Sequence, residues 1–437
     1  MPSSPPAAPS ARDSRAERGT SAPGWVGRAG RDRRAGGAGA AGRLAAVLAG
    51  LVAIGVVVSG CVAGAPGETG ASSSAAAPSA VVSTAAPEIA PGPAAELQFP
   101  EVGAGAVGIA SADGTVEMLG QGGETGTVPI ASITKVITSL VVLSAHPLAG
   151  PDDQGPTLTL GQADLDTTAT IEATGQFVEP MYAGQEVSLH DALAVTLLTS
   201  ANNYAESVAA WAFGSREAYL EAARAWLAAN GLSGTTLADA SGLDPGSAST
   251  TADLLKVAAL AHADPALAAI AGLATYDQPD LGTIANQNIL LGENGVDGLK
   301  TGSTSYAGFT LLTSAVVTVG ATPVTLVSVV LGTESLDARF DTTRALLASA
   351  QAGLREVTLA TAGTPFGTYT LPAATTAADA VATRDLTTVV FGDTSITTEV
   401  TLEERTEGAT GDLVGTAVFT AGATRFDLPL ALATPLG

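Results

Sequence analysis

The chain has 437 residues, is 46% hydrophobic and carries a formal net charge of -23. This length allows two domains with appendages, and the acidic balance argues against direct binding of nucleic acid or of an anionic membrane surface. The single cysteine excludes an intramolecular disulfide, and the three histidines are too far apart in sequence to predict a metal site.

The N-terminal part of the chain has the composition of a leader. Residues 1–43 contain eight arginines against three acidic residues, which predicts a disordered cytoplasmic segment. Residues 44–61 begin with an uncharged apolar run of signal-peptide length and end at Cys61. The small residues before Cys61 resemble a bacterial lipobox, which implies lipidation of Cys61; an uncleaved anchor helix is the alternative. Either reading exports the rest of the chain and holds it at the outer face of the membrane.

Residues 62–95 are rich in Ala, Ser, Pro and Gly, so we expect a linker there. Residues 96–356 form the next predicted domain. It opens with a β-hairpin, because the Asp113-Gly114 pair separates two short apolar runs. Apolar periodicity then predicts helices over residues 130–143, 189–198, 204–213, 217–230, 250–262 and 336–350.

Two β-branched runs, residues 308–317 and 324–331, flank a turn and predict neighbouring antiparallel strands. Strands at both ends of this region with helices between them indicate an α+β fold. We expect one antiparallel sheet built from both ends of the region, with a helical cluster beside it. Residues 357–437 contain short Thr/Val-rich runs between Gly and Asp turns, which predicts a small all-β domain.

Three short motifs follow one another along the predicted catalytic region: Ser132-Ile133-Thr134-Lys135, Ser200-Ala201-Asn202 and Lys300-Thr301-Gly302. Only three lysines occur in the chain, and two of them lie in these motifs. On a helix, Ser132 and Lys135 share one face. Burial and a nearby second ammonium, Lys300, would lower the pKa of Lys135, and the neutral amine would take the proton of Ser132.

The other motif residues are assigned supporting roles. Ser200 is positioned to move a proton to the leaving group, and Asn202 to hold a substrate amide. We expect Lys300 and Thr301 to bind a carboxylate at the start of a strand. Gly302 would leave room for the substrate backbone. The amide of Ser303 would face a developing oxyanion. The structural alternative is that Ser200, Asn202 or Asn203 caps a helix and Lys300 is solvated.

The order S-x-x-K, S-x-N, K-T-G, together with Asp239-Ala-Ser-Gly-Leu-Asp244, resembles the low-molecular-mass penicillin-binding proteins over residues 98–356. These are serine-type D-alanyl-D-alanine carboxypeptidases. The resemblance implies removal of the terminal D-alanine from peptidoglycan stem pentapeptides through an acyl-enzyme, inhibition by β-lactams, and no metal or organic cofactor. It also implies a penicillin-binding/β-lactamase-like fold. By position in these motifs, the resemblance assigns Ser132 as the nucleophile and Lys135 as the general base. It assigns Ser200 and Asn202 to the second motif. Lys300, Thr301 and Gly302 would bind the carboxylate.

Two positions depart from the family pattern. Ser303 stands where many relatives have histidine, and residues 286–288 (Asn-Gln-Asn) stand where relatives often have an arginine, which predicts a different carboxylate site. A D,D-endopeptidase uses the same residues and stays an alternative. A class A β-lactamase would need a Glu-x-x-Leu-Asn motif, which the chain lacks. A non-catalytic, penicillin-sensing wall-binding lipoprotein is the remaining alternative.

Overall fold

The computed structural model describes residues 80–371 and 377–437. The predicted cytoplasmic segment, the apolar run, Cys61 and most of the predicted linker therefore lie outside the described residues. Within the described part there are eight α-helices and nineteen strands.

The helices are α1 (Thr134–Ala145), α2 (Gln162–Glu172), α3 (Leu189–Leu198), α4 (Asn202–Phe213), α5 (Arg216–Ala229), α6 (Thr251–Ala263), α7 (Pro265–Ala271) and α8 (Leu336–Gly353). The strands before α8 are β1 (Val81–Thr84), β2 (Ala104–Ala110), β3 (Val116–Gly123), β4 (Val128–Pro129), β5 (Thr157–Thr159), β6 (Glu186–Ser188), β7 (Ala248–Ser249), β8 (Thr275–Gln278), β9 (Gly282–Ala285), β10 (Val296–Thr304), β11 (Gly308–Val319) and β12 (Thr322–Thr333). After α8 come β13 (Leu354–Ala360), β14 (Pro365–Thr370), β15 (Ala377–Ala382), β16 (Leu386–Phe391), β17 (Ile396–Leu402), β18 (Leu413–Ala421) and β19 (Thr424–Leu432).

A five-stranded antiparallel sheet in the order β10-β11-β12-β2-β3 organises the first region. Its strands come from both ends of this region, as expected. Strand β2, which lies between β12 and β3, is buried along almost its whole length, because helices cover both faces of the sheet. Helix α6 packs against β2, β11 and β12 as part of the larger core, and α8 packs on β11 and β12 within a second core. Strand β10 lies at the edge, so one row of its backbone groups is not used by this sheet.

Local chemistry explains where most helices begin. The side chains of Ser188, Ser215, Thr250 and Ser335 each accept a hydrogen bond from a backbone amide three residues later, at the starts of α3, α5, α6 and α8. The helix predictions for these segments are confirmed: both ends of α3 are as predicted, and the ends of α5, α6 and α8 lie within three residues of the prediction. The short helices α2 and α7 were missed; α2 has few large apolar residues, and α7 is a seven-residue turn that begins at Pro265.

The all-β region is also confirmed. Six strands form a sheet in the order β1-β14-β15-β19-β18-β17, and β13 pairs with β16. Its own core contains Phe366 and Phe419, whose rings meet edge to face at 5.9 Å between centroids. The predicted division between residues 356 and 357 falls inside β13. It stays a prediction, supported by the change of core along that strand: Leu354 packs in the α8 core and Val357 in the β core.

One part of the linker prediction is wrong. Val81–Thr84 forms strand β1, which pairs antiparallel with β14 at the edge of the C-terminal sheet. Val82 lies opposite Tyr369 and packs on the β core, whereas Val81 is 65% exposed. An edge strand needs few apolar residues of its own, because the partner strand supplies most of the surface that it covers. The sequence segment before the catalytic region is therefore part of the C-terminal β structure.

Among the described residues, no single helix is both long and apolar enough to cross a membrane. Only α6 and α7 taken together reach the required length and apolarity, as a pair bent by 101°.

The pairing of β1 with the C-terminal sheet predicts that substitutions of Val82 and Val81 have unequal effects on stability. Val82→Asp buries a charge against the β core and should lower the free energy of unfolding by about 1–3 kcal/mol. Val81→Asp, the matched control, should stay within about 0.5 kcal/mol of the wild type, because that side chain is exposed. Urea unfolding measures both. Equal midpoints for the two variants would show that β1 does not cover this core.

Candidate active site

The first motif lies on a short turn that precedes a buried helix. Residues Ala131–Ile133 form a 3-10 turn, and α1 continues from Thr134. Ala131 has φ 48°, in the left-handed region that costs a non-glycine residue about 1–2 kcal/mol. Ser132 is half-buried, and Lys135 is completely buried one turn further along. The predicted helix is thus confirmed, with its first turn strained so that Ser132 stands at the helix entrance.

The Lys135 amine is surrounded by three oxygen atoms. Its Nζ lies 2.9 Å from Ser132 Oγ, 2.8 Å from Asn202 Oδ1 and 2.7 Å from the carbonyl oxygen of Ser241. The amide oxygen and the carbonyl oxygen can only accept hydrogen bonds. A neutral amine therefore gives its two protons to Asn202 and Ser241. Its lone pair is left facing the hydroxyl of Ser132, which is the geometry a general base requires.

Burial supplies the neutral amine. Desolvation lowers the pKa of Lys135 from 10.5 to about 7, against the opposing charges of Asp239 and Glu206, which raise it. Burial, followed by the charges of Lys135 and Arg339, lowers the pKa of Lys300 well below its usual value. Burial is therefore the main cause of the lowered pKa at both amines, and repulsion between the two buried amines adds to it at Lys300.

The second motif is at the junction of α3 and α4. Asn202 accepts from Lys135, and its Nδ2 donates to the Phe177 carbonyl at 2.8 Å. Asn203 donates to the Glu179 carbonyl and accepts from the Glu179 amide. The capping alternative is wrong for this motif, because the N-cap of α4 is Ala201, which has no side-chain capping bond. Ser200 has φ 68° and is 9% exposed, and no hydrogen bond to its hydroxyl occurs within the described residues.

Two glycines let separate segments meet at the nucleophile. A Cβ at Gly302 would lie 3.0 Å from the Ser132 amide nitrogen and 2.5 Å from Thr310 Oγ1. A Cβ at Gly242 would lie 1.9 Å from the Ala131 carbonyl oxygen. Gly302 thus makes room for the turn that carries Ser132; the expected reason for this glycine, room for a substrate backbone, stays a prediction. Gly242 does the same from the loop that follows Asp239.

The third motif lies in the middle of β10, five residues into the strand and not at its start as expected. Lys300 is 1% exposed, and its charge is within reach of Lys135. Thr301 donates to Gln287 Oε1 at 3.3 Å, and Ser303 is exposed. The structure thus brings the lysines of the first and third motifs beside each other. Among the described residues, no hydrogen bond involves the Lys300 amine.

Residues 286–288 stand where relatives often have a carboxylate-binding arginine. One of them, Gln287, contacts the third motif. Gln287 Nε2 donates to the Thr199 carbonyl at 2.7 Å, and Gln287 also meets Thr301. Its two neighbours donate to backbone carbonyls elsewhere. The sequence analysis missed Arg339 on α8. This guanidinium is buried, donates to the Gly302 carbonyl at 3.3 Å and forms no ion pair with any described carboxylate. Burial lowers the pKa of Arg339 to about 10.

A cavity of about 740 Å³ opens beside this cluster. It is lined by the end of β10 and the following turn (Thr304–Tyr306), by α2, by Glu206 and by the loop from Asp239 to Pro245. Ser241, whose carbonyl touches Lys135, belongs to that lining. Among residues 80–371 and 377–437, no group of three His, Cys, Asp or Glu side chains is arranged to hold a metal ion.

The arrangement of the three motifs agrees with the protein family that the sequence matches. Residues 95–335, more than half of the chain, match the D-alanyl-D-alanine carboxypeptidase family. The chain belongs to this family. All three motifs lie inside the matched region, so the family match covers every residue that surrounds Lys135.

Individual relatives agree with the assignment. The chain is 31% identical over 237 residues to D-alanyl-D-alanine carboxypeptidase DacC of Escherichia coli, covering 53% of this chain and 57% of that protein. It is 28% identical over 200 residues to a D-alanyl-D-alanine endopeptidase of the same organism, covering 43% of this chain and 60% of that protein. The chain thus spans between 57% and 65% of the length of the curated carboxypeptidases DacC and DacD of that organism.

Solved structures share the fold, including the β region. Penicillin binding protein 6B from Escherichia coli matches with a TM-score of 0.58 and 24% identity, covering 79% of this chain and 99% of that chain. Penicillin binding protein 5 from Haemophilus influenzae matches with a TM-score of 0.54 and 19% identity, covering 78% and 98%. The expected α+β fold, a penicillin-binding domain followed by a small β domain, is confirmed.

The close approach at Gly242 generates a test of the site geometry. Gly242→Ala should reduce covalent labelling by penicillin about tenfold or more, because a Cβ there displaces the turn that carries Ser132. Gly231→Ala is the matched control: that glycine also has a positive φ, 64°, but no atom lies within 4 Å of its would-be Cβ. Labelling rates and circular dichroism are compared. Equal labelling rates for both variants would contradict the steric argument.

Proposed function

We propose that this family member is a serine-type D-alanyl-D-alanine carboxypeptidase, which removes the terminal D-alanine of peptidoglycan stem pentapeptides and is inhibited by β-lactams. The observation that supports this most directly is the set of three oxygen atoms around Lys135 Nζ, which aims its lone pair at Ser132. The family membership supplies the substrate class.

In the proposed reaction, the Ser132 hydroxyl attacks the carbonyl carbon of the penultimate residue while Lys135 takes the hydroxyl proton. The tetrahedral intermediate collapses, the C–N bond breaks, and the departing amine of D-alanine receives a proton, passed on through Ser200. Water then hydrolyses the ester and frees Ser132. The amide of Ser303 is assigned to the oxyanion, because one row of backbone groups on the edge strand β10 is not used by the sheet.

The terminal carboxylate of the substrate is assigned to the cationic end of the site. Lys300 and Arg339 are both buried, and neither forms an ion pair with a carboxylate of the described residues. A bound carboxylate would stabilise their charged forms and return the pKa of Lys300 towards its usual value. Thr301 supplies a hydroxyl next to them. In this arrangement Arg339 takes the part that an arginine near residues 286–288 plays in other relatives.

The rest of the stem peptide is assigned to the cavity lined by Thr304–Tyr306 and α2, since this cavity continues from the strand that carries the third motif. Peptidoglycan lies outside the cytoplasm, which accords with the export signal predicted in residues 44–61. We keep attachment to the outer face of the membrane, through a lipid on Cys61 or an uncleaved helix, as part of the proposal.

The endopeptidase alternative has a specific observation in its favour. Two of the matching relatives are D-alanyl-D-alanine endopeptidases, from Escherichia coli and from Pseudomonas aeruginosa, at 28% and 32% identity. Both activities use a nucleophilic serine on a D-alanyl carbonyl, so the residues around Lys135 are compatible with either. The difference lies in the leaving group, free D-alanine or the amine of a cross-link.

Two substitutions test the proposed activity, one at the nucleophile Ser132 and one at Ser144 on the helix that follows it. Wild-type protein should release D-alanine from a peptide ending in D-Ala-D-Ala and gain one drug mass on reaction with penicillin. Ser132→Ala should do neither, whereas Ser144→Ala, an exposed change at the far end of α1, should do both. Intact mass and a D-alanine assay give the readouts. Labelling of Ser132→Ala would overturn the assignment.

Further outcomes of the same experiment separate the alternatives. Cleavage of cross-linked dimers without release of terminal D-alanine would favour the endopeptidase. Loss of the penicillin adduct within about a second would indicate a β-lactamase, since slow deacylation reflects a barrier higher by several kcal/mol. No acylation and no hydrolysis in the wild type would favour the non-catalytic lipoprotein.

The pKa of Lys135 predicts the pH dependence of acylation. A base with a pKa of about 7 is roughly one-tenth neutral at pH 6 and about nine-tenths neutral at pH 8. The acylation rate constant should therefore rise about tenfold between these values and level off above them. Stopped-flow measurements with a chromogenic cephalosporin follow this directly. A rate that is flat or falls with rising pH over this range would contradict a neutral-lysine base.

A further inference from the structure

One carboxylate outside the three motifs contacts the loop that touches the general base. Glu206 lies on α4, one helical turn after Asn202, so both side chains project from the same face. Glu206 Oε1 accepts from the Ala240 amide at 3.1 Å and from Ser241 Oγ at 2.9 Å. The Ser241 carbonyl in turn receives the hydrogen bond from Lys135. Helix α4 therefore reaches Lys135 twice, once directly and once through this loop.

Other groups also hold this loop: Ser241 Oγ donates to Asp239 Oδ2 at 3.1 Å, and Arg216 on α5 donates to the Ala238 carbonyl at 2.8 Å. Asp239 accepts hydrogen bonds from Gly242, Leu243 and other members of the same loop, so it shapes the loop from within. Thr138 on α1 donates to the Ala240 carbonyl at 2.8 Å. Glu206 is the acidic side chain that ties the loop to helix α4.

We propose that Glu206 is a positioning residue for acylation: it fixes the Ser241 carbonyl against Lys135 Nζ and so keeps the amine lone pair aimed at Ser132. This inference rests on the proposed function. The side chain does not touch the reacting atoms, and its positioning effect passes through its hydrogen bonds with Ala240 and Ser241.

The charge of Glu206 gives the role an electrostatic signature. Its carboxylate raises the pKa of Lys135, in opposition to the desolvation that lowers it. Burial, followed by the charge of Asp239, raises the pKa of Glu206 itself. Asp239 on the loop and Arg216 on α5 act on the charge of Glu206, and that charge acts in turn on Tyr219 on α5. Lys300 on β10 faces Lys135, and Arg339 on α8 acts on Lys300. Removal of the Glu206 charge therefore leaves Asp239 as the remaining anion near Lys135.

Two substitutions separate geometry from charge. Glu206→Gln keeps an acceptor oxygen for both donors and removes the charge, so the acylation plateau at high pH should stay within about threefold of the wild type. The midpoint of the pH–rate curve should move down by about 0.5 to 1 pH unit, because Lys135 loses a neighbouring anion. Glu206→Ala removes the anchor and should lower the plateau about tenfold or more.

The measurement is the acylation rate constant with a chromogenic cephalosporin between about pH 5 and 9, with thermal unfolding run in parallel. Glu221→Gln, an exposed change on α5, is the matched control and should behave as the wild type. If Glu206→Ala keeps the wild-type plateau, the positioning role is wrong, whatever happens to the midpoint. If Glu206→Ala does not fold, Glu206→Asp takes its place, because its shorter side chain withdraws the carboxylate from Ala240 and Ser241; a wild-type plateau in that variant overturns the role.

This design distinguishes the inference from the function on which it rests. Failure of the wild type to be acylated, with Ser132→Ala indistinguishable from it, overturns the proposed function. Normal acylation of the wild type with no change in either Glu206 variant overturns only the role of Glu206.

Discussion

Removal of the Lys135 amine from water is the constraint that shapes the active site. Moving an ammonium out of water is costly, and a protein avoids that cost by a paired carboxylate or by loss of the proton. Here the three atoms in contact with Nζ are uncharged oxygens. The two nearby carboxylates, Asp239 and Glu206, act on Lys135 through the loop and through space. This separation keeps the pKa of Lys135 at about 7 instead of near its usual value.

The same requirement explains the strain and the close contacts around the nucleophile. Helix α1, the α3–α4 junction, the loop after Asp239 and strand β10 must all come within a few ångströms of one point. Ala131 and Ser200 adopt left-handed backbone conformations there, and Gly242 and Gly302 omit side chains that would collide with the turn carrying Ser132. Unfavourable local conformations of this kind are typical of functional sites, because tertiary packing outweighs local preference at those points.

Sequence reasoning was most successful where short-range patterns carry the information. The helices with serine or threonine caps, the hairpin at Asp113-Gly114 and the two long strands were predicted close to their observed limits. It failed for β1, a four-residue strand in an Ala/Ser/Pro-rich stretch, because its conformation depends on pairing with β14. It also did not identify the contacts that Arg339, Gln287 and Glu206 make at the site. Arg339 and Glu206 lie on helices and Gln287 lies in a loop. Nothing in their local sequence distinguishes them from surface residues.

The chemical groups of the site could be identified from the sequence alone: a serine and a lysine one turn apart, a second lysine motif and an amide between them, in a recognisable order. The three-dimensional packing was needed to see that Lys135 is removed from water, that Gly302 makes room for the turn carrying Ser132, and which carboxylates and guanidinium surround the two amines. Desolvation and charge–charge interaction depend on distances in space between segments that are far apart in the chain, such as those carrying Lys135 and Lys300. No local pattern of residues contains those distances.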